Sequence, residues 1–252
     1  MARVIDFYNF LDSICPFSLQ ENWDNSGLLV GDKNKEVTRA AVVLDITEDA
    51  VQYASQVGAE LIISHHPVIF KAKRELLKGD AVYTLAQNSM SAICAHTNLD
   101  CAGGGVNDVL AQLLDIQNVE VFPCDCSPEL LRVGVLPQKM SADELALQIK
   151  DALGGCVRYC CEEKQIESVA LCSGSGCSFV PDVIKAGIDS FITGDASHHD
   201  FIDCKEKGLA LFAAGHFETE NPVVSVLANK LRCEFPDTDI IVIPQKNPVK
   251  YI

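Results

Sequence analysis

Val57-Gly-Ala-Glu-Leu-Ile-Ile-Ser-His65-His66-Pro67 runs from a helix stop through a short apolar strand into two adjacent imidazoles. Gly58 ends the preceding helix, residues 60–64 are predicted as strand, and Pro67 bars the chain from continuing as helix or ladder. Upstream, residues 40–44 form another apolar strand, and Thr47 caps the intervening helix with Glu48 and Asp49 in its first turn. Strand, helix and strand in this order predict an α/β unit.

The pattern continues outward. Helices are expected over residues 7–14, stopped near Pro16, over 80–88 and over 107–114. Strands are expected over 91–95, 131–136, 157–160, 168–172, 190–193 and 209–213. Ser141-Ala-Asp-Glu144 is a capping box opening a helix that Gly154 and Gly155 close, and Pro181 opens another.

The second half echoes the first. Ser168-Val-Ala-Leu-Cys leads through a helix to Ala186-Gly-Ile-Asp-Ser-Phe-Ile-Thr-Gly194-Asp195, as residues 41–46 lead to His65-His66. Ala92-Ile-Cys-Ala-His96-Thr-Asn-Leu-Asp100 is matched by Phe212-Ala-Ala-Gly-His216-Phe-Glu-Thr-Glu220. The expected fold is α/β: two intertwined, pseudo-duplicated repeats, with mixed sheets covered by helices. The boundary is expected between Pro123 and Pro128, giving repeats over 1–125 and 126–252 with a metal site formed between them.

All six histidines (His65, His66, His96, His198, His199, His216) fall at predicted strand ends or in the loops after them. In open α/β sheets ligands bind beyond the carboxyl ends of strands. His96-x3-Asp100 and His216-x3-Glu220 each place an imidazole and a carboxylate on one face if the segment makes a helical turn. Glu218, two residues from Glu220, should face elsewhere. This donor mixture suits zinc, iron, manganese or nickel and not calcium. Neutral His65, His66 and His216 with Asp100 and Glu220 carry a charge of about −2, enough to hold two divalent ions if the carboxylates bridge them. The net positive centre that results would attract a small anionic substrate.

Other segments leave two readings each. Asp195 is an acid beside the site or a helix cap, and His199 is an acid/base group or an exposed helix residue. Ala102-Gly-Gly-Gly105 is an anion-holding turn or a flexible corner. Gly174-Ser-Gly176 is a weak echo of a phosphate loop. Trp23-Asp-Asn-Ser-Gly27-Leu-Leu-Val-Gly31 is a lid over the pocket or a core Trp beside a glycine turn.

Composition sets the outer bounds. The 252 residues are 48% apolar and 22% charged, which excludes disorder as the main state. No stretch reaches the ~18 apolar residues of a membrane span. The acidic residues Asp6 and Asp12 argue against a signal peptide, so a cytoplasmic location is expected. Twenty basic against 35 acidic side chains leave −15, which disfavours a nucleic-acid partner. Twelve cysteines without a Cys-x-x-Cys pair read as reduced, buried or semi-buried thiols.

The motifs Trp23-Asp-Asn-Ser-Gly27-Leu, Leu44-Asp-Ile-Thr47, Ile63-Ser-His65-His66-Pro67, His96-Thr-Asn-Leu-Asp100, Gly104-Gly-Val-Asn-Asp108, Ile192-Thr-Gly-Asp195 and Gly215-His216-Phe-Glu-Thr-Glu220 run in one order over most of the chain. In them the chain resembles the Nif-three-like family, dinuclear-metal ring proteins catalogued as homologues of GTP cyclohydrolase type two. The resemblance implies a homo-hexameric toroid and metal ligands at His65, His66, Asp100, His216 and Glu220. It places His96, Asp195 and His199 near that site. The activity it implies is metal-dependent hydrolysis of a small nucleotide-like anion, with His96 or His199 moving protons. A non-catalytic metal-binding ring, scaffold or metal chaperone, is the alternative.

Overall fold

The alternation of strands and helices is realised in a computed structural model, which describes residues 1–124, 127 and 129–250. The first stretch of chain contains α1 (Val4–Ile14), β1 (Gly27–Val30), β2 (Arg39–Val43), α2 (Glu48–Gln56), β3 (Leu61–Ser64), α3 (Ala81–Gln87), β4 (Ser91–Cys94) and α4 (Thr97–Cys101). Then follow α5 (Val106–Leu113), β5 (Gln117–Val121), β6 (Arg132–Ser141), α6 (Ala142–Leu153), β7 (Arg158–Tyr159), β8 (Gln165–Cys172), α7 (Val180–Lys185), β9 (Ser190–Thr193), α8 (His198–Glu206), β10 (Ala210–Ala213) and α9 (His216–Glu220). The chain ends with α10 (Pro222–Glu234) and β11 (Asp239–Val242).

Residues 1–103 with 223–246 make one compact unit. The described residues of 104–222, with those from Asn247 on, make the other. The boundary expected at 125/126 lies outside the described residues, and the units divide at 103/104 and again at 222/223. The second division arises because β11 returns to pair in parallel with β2, Asp239 beside Arg39 through Val242 beside Val42. The chain thus leaves the first unit and comes back to it, which interleaves the two α/β halves.

In the first unit the sheet order is β1-β4-β3-β2-β11. β2, β3 and β4 are parallel, and β1 runs antiparallel to β4. Every residue of β3 and β4 is buried. That is why these strands read as short unbroken apolar runs and not as alternations. Ala41, Val43, Val51, Ile62, Leu85 and Met90 pack in the core on one face of this sheet. Thr47 caps α2 as expected, accepting from the Ala50 amide at 3.2 Å.

The second unit repeats the scheme. Its sheet order is β5-β6-β8-β9-β10-β7, with β8, β9 and β10 parallel and the flanking strands antiparallel. Leu145, Ile149, Ile166, Leu171, Ile192 and Phe212 fill its core. The Ser141–Glu144 capping box is formed: the Ser141 amide donates to Glu144 Oε2 at 2.7 Å, and the Glu144 amide donates to Ser141 Oγ at 3.3 Å. In each unit the third parallel strand, β4 or β10, is followed within a few residues by a five-residue helix, α4 or α9. The halves therefore correspond in topology as well as in motif order.

β1 is an addition to the sequence reading. Residues 23–31 were expected as a lid or a glycine turn, but Gly27–Val30 is an edge strand, and Trp23 before it is 60% exposed and no part of the core. None of the eleven described cysteines forms a disulfide, and Cys126 lies outside the described residues. Burial pushes the Cys15 and Cys204 thiols up to about 12, which suits the expected small-hydrophobe role, whereas Cys156 and Cys233 are exposed and depart from it. No helix among the described residues is long and apolar enough to cross a membrane.

Candidate metal centre

In the first unit the carboxyl ends of β2, β3 and β4 collect the chemistry. Beyond β3 the ladder continues for two residues, the His65 amide donating to Val43 O and the His66 amide to Leu44 O. Backbone pairing thereby fixes both imidazoles at the strand exit. His65 is buried, and its Nδ1 lies 3.0 Å from Ala95 O, just past β4. His66 Nδ1 lies 2.8 Å from Asp45 Oδ1, just past β2. Gln245 anchors Asp45 in turn, bonding its amide and its carbonyl.

His96 stands between β4 and α4. Its Nδ1 lies 2.7 Å from Asp24 Oδ1. The Asp24 side chain is wholly buried and also accepts from Thr97 Oγ1 at 2.5 Å, the Thr97 and Asn25 amides and Ser26 Oγ. Burial alone would raise this carboxyl, but bonds from His96 and Thr97 and the His96 charge hold it well below the usual range. The ring-nitrogen donor atoms of His65, His66 and His96 lie within 4.8 Å of one another. α4 forms the helical turn that the His-x3-Asp spacing required, and Asp100 Oδ1 lies 3.7 Å from His65 Nε2.

In the second unit α9 puts His216 and Glu220 on one face, His216 Nε2 being 3.1 Å from Glu220 Oε2. His216 Nδ1 lies 2.7 Å from Asp195 Oδ2. Asp195 is therefore the orienting partner of His216, and the cap of α8 is Ser197, in a capping box with Asp200. Burial lowers the His216 imidazole, but the bonds and charges of Glu220 and Asp195 outweigh it and raise it to about 9. The negative charge that two carboxylates bring to one imidazole can be met by a divalent cation as well, in exchange for the Nε2 proton. Gly174 lines this group: a Cβ there would meet Glu220 Oε1 at 2.2 Å and His216 Nε2 at 3.2 Å. Gly174 thus permits close approach of the backbone to this group, while a Cβ at Gly176 would meet Cys172 and Thr193 instead. Glu218 turns elsewhere, accepting from Asn247 Nδ2 at 2.7 Å. His199 is exposed on the first turn of α8, beside His198.

One pattern unites the two units. Nδ1 of His65, His66, His96 and His216 each meets an oxygen acceptor, which places a proton on Nδ1 and, in the neutral ring, leaves the lone pair on Nε2; His216 has first to give up the Nε2 proton that Glu220 holds there. Metal-binding histidines are oriented in this way. Asp45 and Asp24 were not anticipated as partners. Asp45 could have been found from its place just past a strand; Asp24, 72 residues from His96, carries no local signal.

Asp24 allows a direct check. Asp24→Asn should cost about 1–3 kcal/mol at neutral pH, because a buried acceptor of several donors becomes a half-donor. A depressed carboxyl stabilises the fold above its unfolded value near 4 and loses that contribution as pH falls toward its lower folded value. The gap between wild type and variant in urea midpoints should therefore narrow on acidification. A gap that is constant or widens would contradict the assignment.

Fold and site together define an α/β protein with imidazole and carboxylate groups suited to hold a metal ion. The chain belongs to the DUF34/NIF3 (NGG1p interacting factor 3) family, whose model matches residues 2–248. A Clostridium perfringens GTP cyclohydrolase 1 type 2 homolog is 35% identical, the match covering 99% of this chain and all of that one. One from Campylobacter jejuni is 32% identical over 99% of each chain. The crystal structure of a Staphylococcus aureus hypothetical protein superposes with a TM-score of 0.90 at 28% identity, over 99% of each chain. A Bacillus cereus protein related to NIF3 shares the fold, with a TM-score of 0.89 at 21% identity over 100% of this chain and 99% of that one.

Proposed function

We propose that the protein is a dinuclear-metal-dependent hydrolase acting on a small, nucleotide-like anion, with His65, His66, Asp100, His216 and Glu220 as the metal ligands. The observation that carries this reading is the set of four imidazoles whose Nδ1 atoms are tied to oxygen acceptors. Such backing raises ligand basicity and fixes ring direction. The donor set of nitrogen and carboxylate oxygen fits zinc, iron, manganese or nickel. The cradle at Gly174 is a further sign that Glu220 is held for a purpose.

Bound divalent ions would supply Lewis acidity and a water acidic enough to react near neutral pH. The protein's own groups do the rest. Asp45 and Asp195 hold His66 and His216 in one orientation. Asp24 holds the His96 proton on Nδ1, leaving Nε2 to take a proton from the nucleophile or return it to the leaving group. His199, exposed on α8, is the weaker candidate for that role. The relatives' name, GTP cyclohydrolase 1 type 2 homolog, supports a purine nucleotide as the first substrate to try. The assembly we expect is a homo-hexamer, read by light scattering.

The test is a screen of metal-reloaded protein against nucleotides and phosphoesters, beside elemental analysis. Two ions per chain and turnover that disappears with chelator and returns with metal are expected. Two ions with no turnover on any substrate would favour the scaffold or metal-chaperone reading. No tightly held ion would remove both.

A further inference from the structure

The chain has a single tryptophan, and it is 60% exposed beside a buried histidine–aspartate network. Trp23 meets Phe70, itself 44% exposed, edge to face with ring centroids 6.0 Å apart. His96 packs edgewise on both rings, at 6.3 and 6.2 Å. Large aromatic side chains normally bury most of their area, so two of them left in water on one spot ask for an occupant.

The two rings stand on firm backbone. The Asp24 carboxylate beside Trp23 accepts from His96, Thr97, Ser26 and Asn25. The Glu21 amide donates to Thr97 Oγ1 at 2.9 Å. Asn25 Nδ2 donates to Ile69 O at 2.5 Å, which ties the Trp23 turn to the segment carrying Phe70. Aromatic faces held this way bind without a large ordering cost. Phe70 also opens an exposed run with Lys71, Lys73, Arg74 and Lys78, a cationic stretch on a chain of net charge −15. Lys73 is taken by Asp80, while Lys71 and Arg74 extend into solvent.

We propose that Trp23 and Phe70 form a stacking platform for the base of a mononucleotide, whose phosphate is met by Lys71 and Arg74. A planar heterocycle can stack on the face of one ring with the other ring standing edge-on beside it, since every base has a π-face. The phosphate accounts for a basic run on an acidic protein. The net charge opposes a long polyanion, so a single nucleotide is favoured over a nucleic-acid strand. The inference rests on the hydrolase reading and deepens it by assigning the residues that hold the substrate's base and phosphate. It places the base against His96, beside the groups assigned to proton transfer.

The test uses Trp23 itself. Intrinsic fluorescence of the full-length protein, metal-loaded and chelator-treated, is titrated with guanosine monophosphate, cytidine monophosphate, guanosine, ribose phosphate and an oligothymidylate. Saturable quenching by the nucleotides, weaker quenching by guanosine and none by ribose phosphate are expected. Phe70→Ala should weaken nucleotide binding about 5- to 150-fold, the equivalent of one lost stacking ring. Trp23→Ala, followed by calorimetry, should do the same. A Lys71→Ala/Arg74→Ala double variant should bring the affinity for guanosine monophosphate down to that for guanosine. Circular dichroism should show all three variants folded, since the altered side chains are exposed.

The proposal is overturned if no nucleotide quenches saturably, if ribose phosphate quenches equally, or if the oligothymidylate binds more tightly than either mononucleotide. It is also overturned if Trp23 in the native assembly is shielded from acrylamide, which would make the rings a contact with a second copy. Binding is read apart from metal content and turnover. Quenching without turnover would fault the hydrolase reading alone, and turnover without quenching would fault the platform alone.

Discussion

Asp100→Asn should fold and yet hold at most one metal ion tightly, where the wild type is expected to hold two. The substitution keeps the shape of a side chain that is buried on α4 and lies 3.7 Å from His65. It removes one of two negative charges from the proposed ligand set. Unit charges ~4 Å apart, near the usual spacing of paired ions, repel by about 4 kcal/mol at an effective dielectric near 20, and doubly charged ions by roughly four times that. A carboxylate offsets that repulsion and a neutral amide does not. Asp195→Asn is the comparison. It alters the partner of His216 Nδ1 and the acceptor of Ser175 Oγ but no proposed ligand, so metal affinity should fall about 10–100-fold while two ions still bind at saturation. Metal stoichiometry and thermal melting, taken on the same samples, read both effects. Two tightly held ions in Asp100→Asn would move the bridging role to another carboxylate.

Gly174→Ala should have the next largest effect. Gly174 sits at φ +60°, where an L-residue costs roughly 1–2 kcal/mol. The added Cβ would also stand 2.2 Å from Glu220 Oε1, and Glu220 is buried on a short helix with little room to withdraw. The Gly174 carbonyl is fixed as well, accepting from the Gly194 and Asp195 amides. Metal binding should be lost along with about 1–2 kcal/mol of stability. Ser175→Ala, one residue on, should leave metal content unchanged, since Ser175 donates only a 3.2 Å bond to Asp195. If Gly174→Ala binds metal as the wild type does, Glu220 does not need that cradle and its place as a ligand falls.

Short-range signals made much of this legible. Parallel strands buried on both faces appear as short runs of apolar and small residues without polar alternation, and the helices between them carry their own caps, so β2, β3, β4, β9 and β10 could be read directly. The His-x3-carboxylate spacing needs only one helical turn to act, and α4 and α9 supply it. Local patterns leave alternatives open where the context is tertiary. Gly27–Val30 carries too little pattern to announce an edge strand, and it becomes one by lying antiparallel to β4. Asp195 follows a strand and precedes a helix, like many caps, yet Ser197 takes the cap and Asp195 takes His216.

By itself the sequence determined the α/β class, the duplicated motif order, the histidines at strand ends and the family, because each rests on spacings of a few residues or on motifs in series. Only the tertiary structure decided which oxygen backs each imidazole. Asp24 reaches His96 across 72 residues and Asp45 reaches His66 across 21. Nor does any local pattern send β11 back to β2, 200 residues away. Hydrogen bonds between distant residues depend on which strands become neighbours and on where each strand stops. Those are properties of the packed sheet, and the chain expresses them only once it has folded.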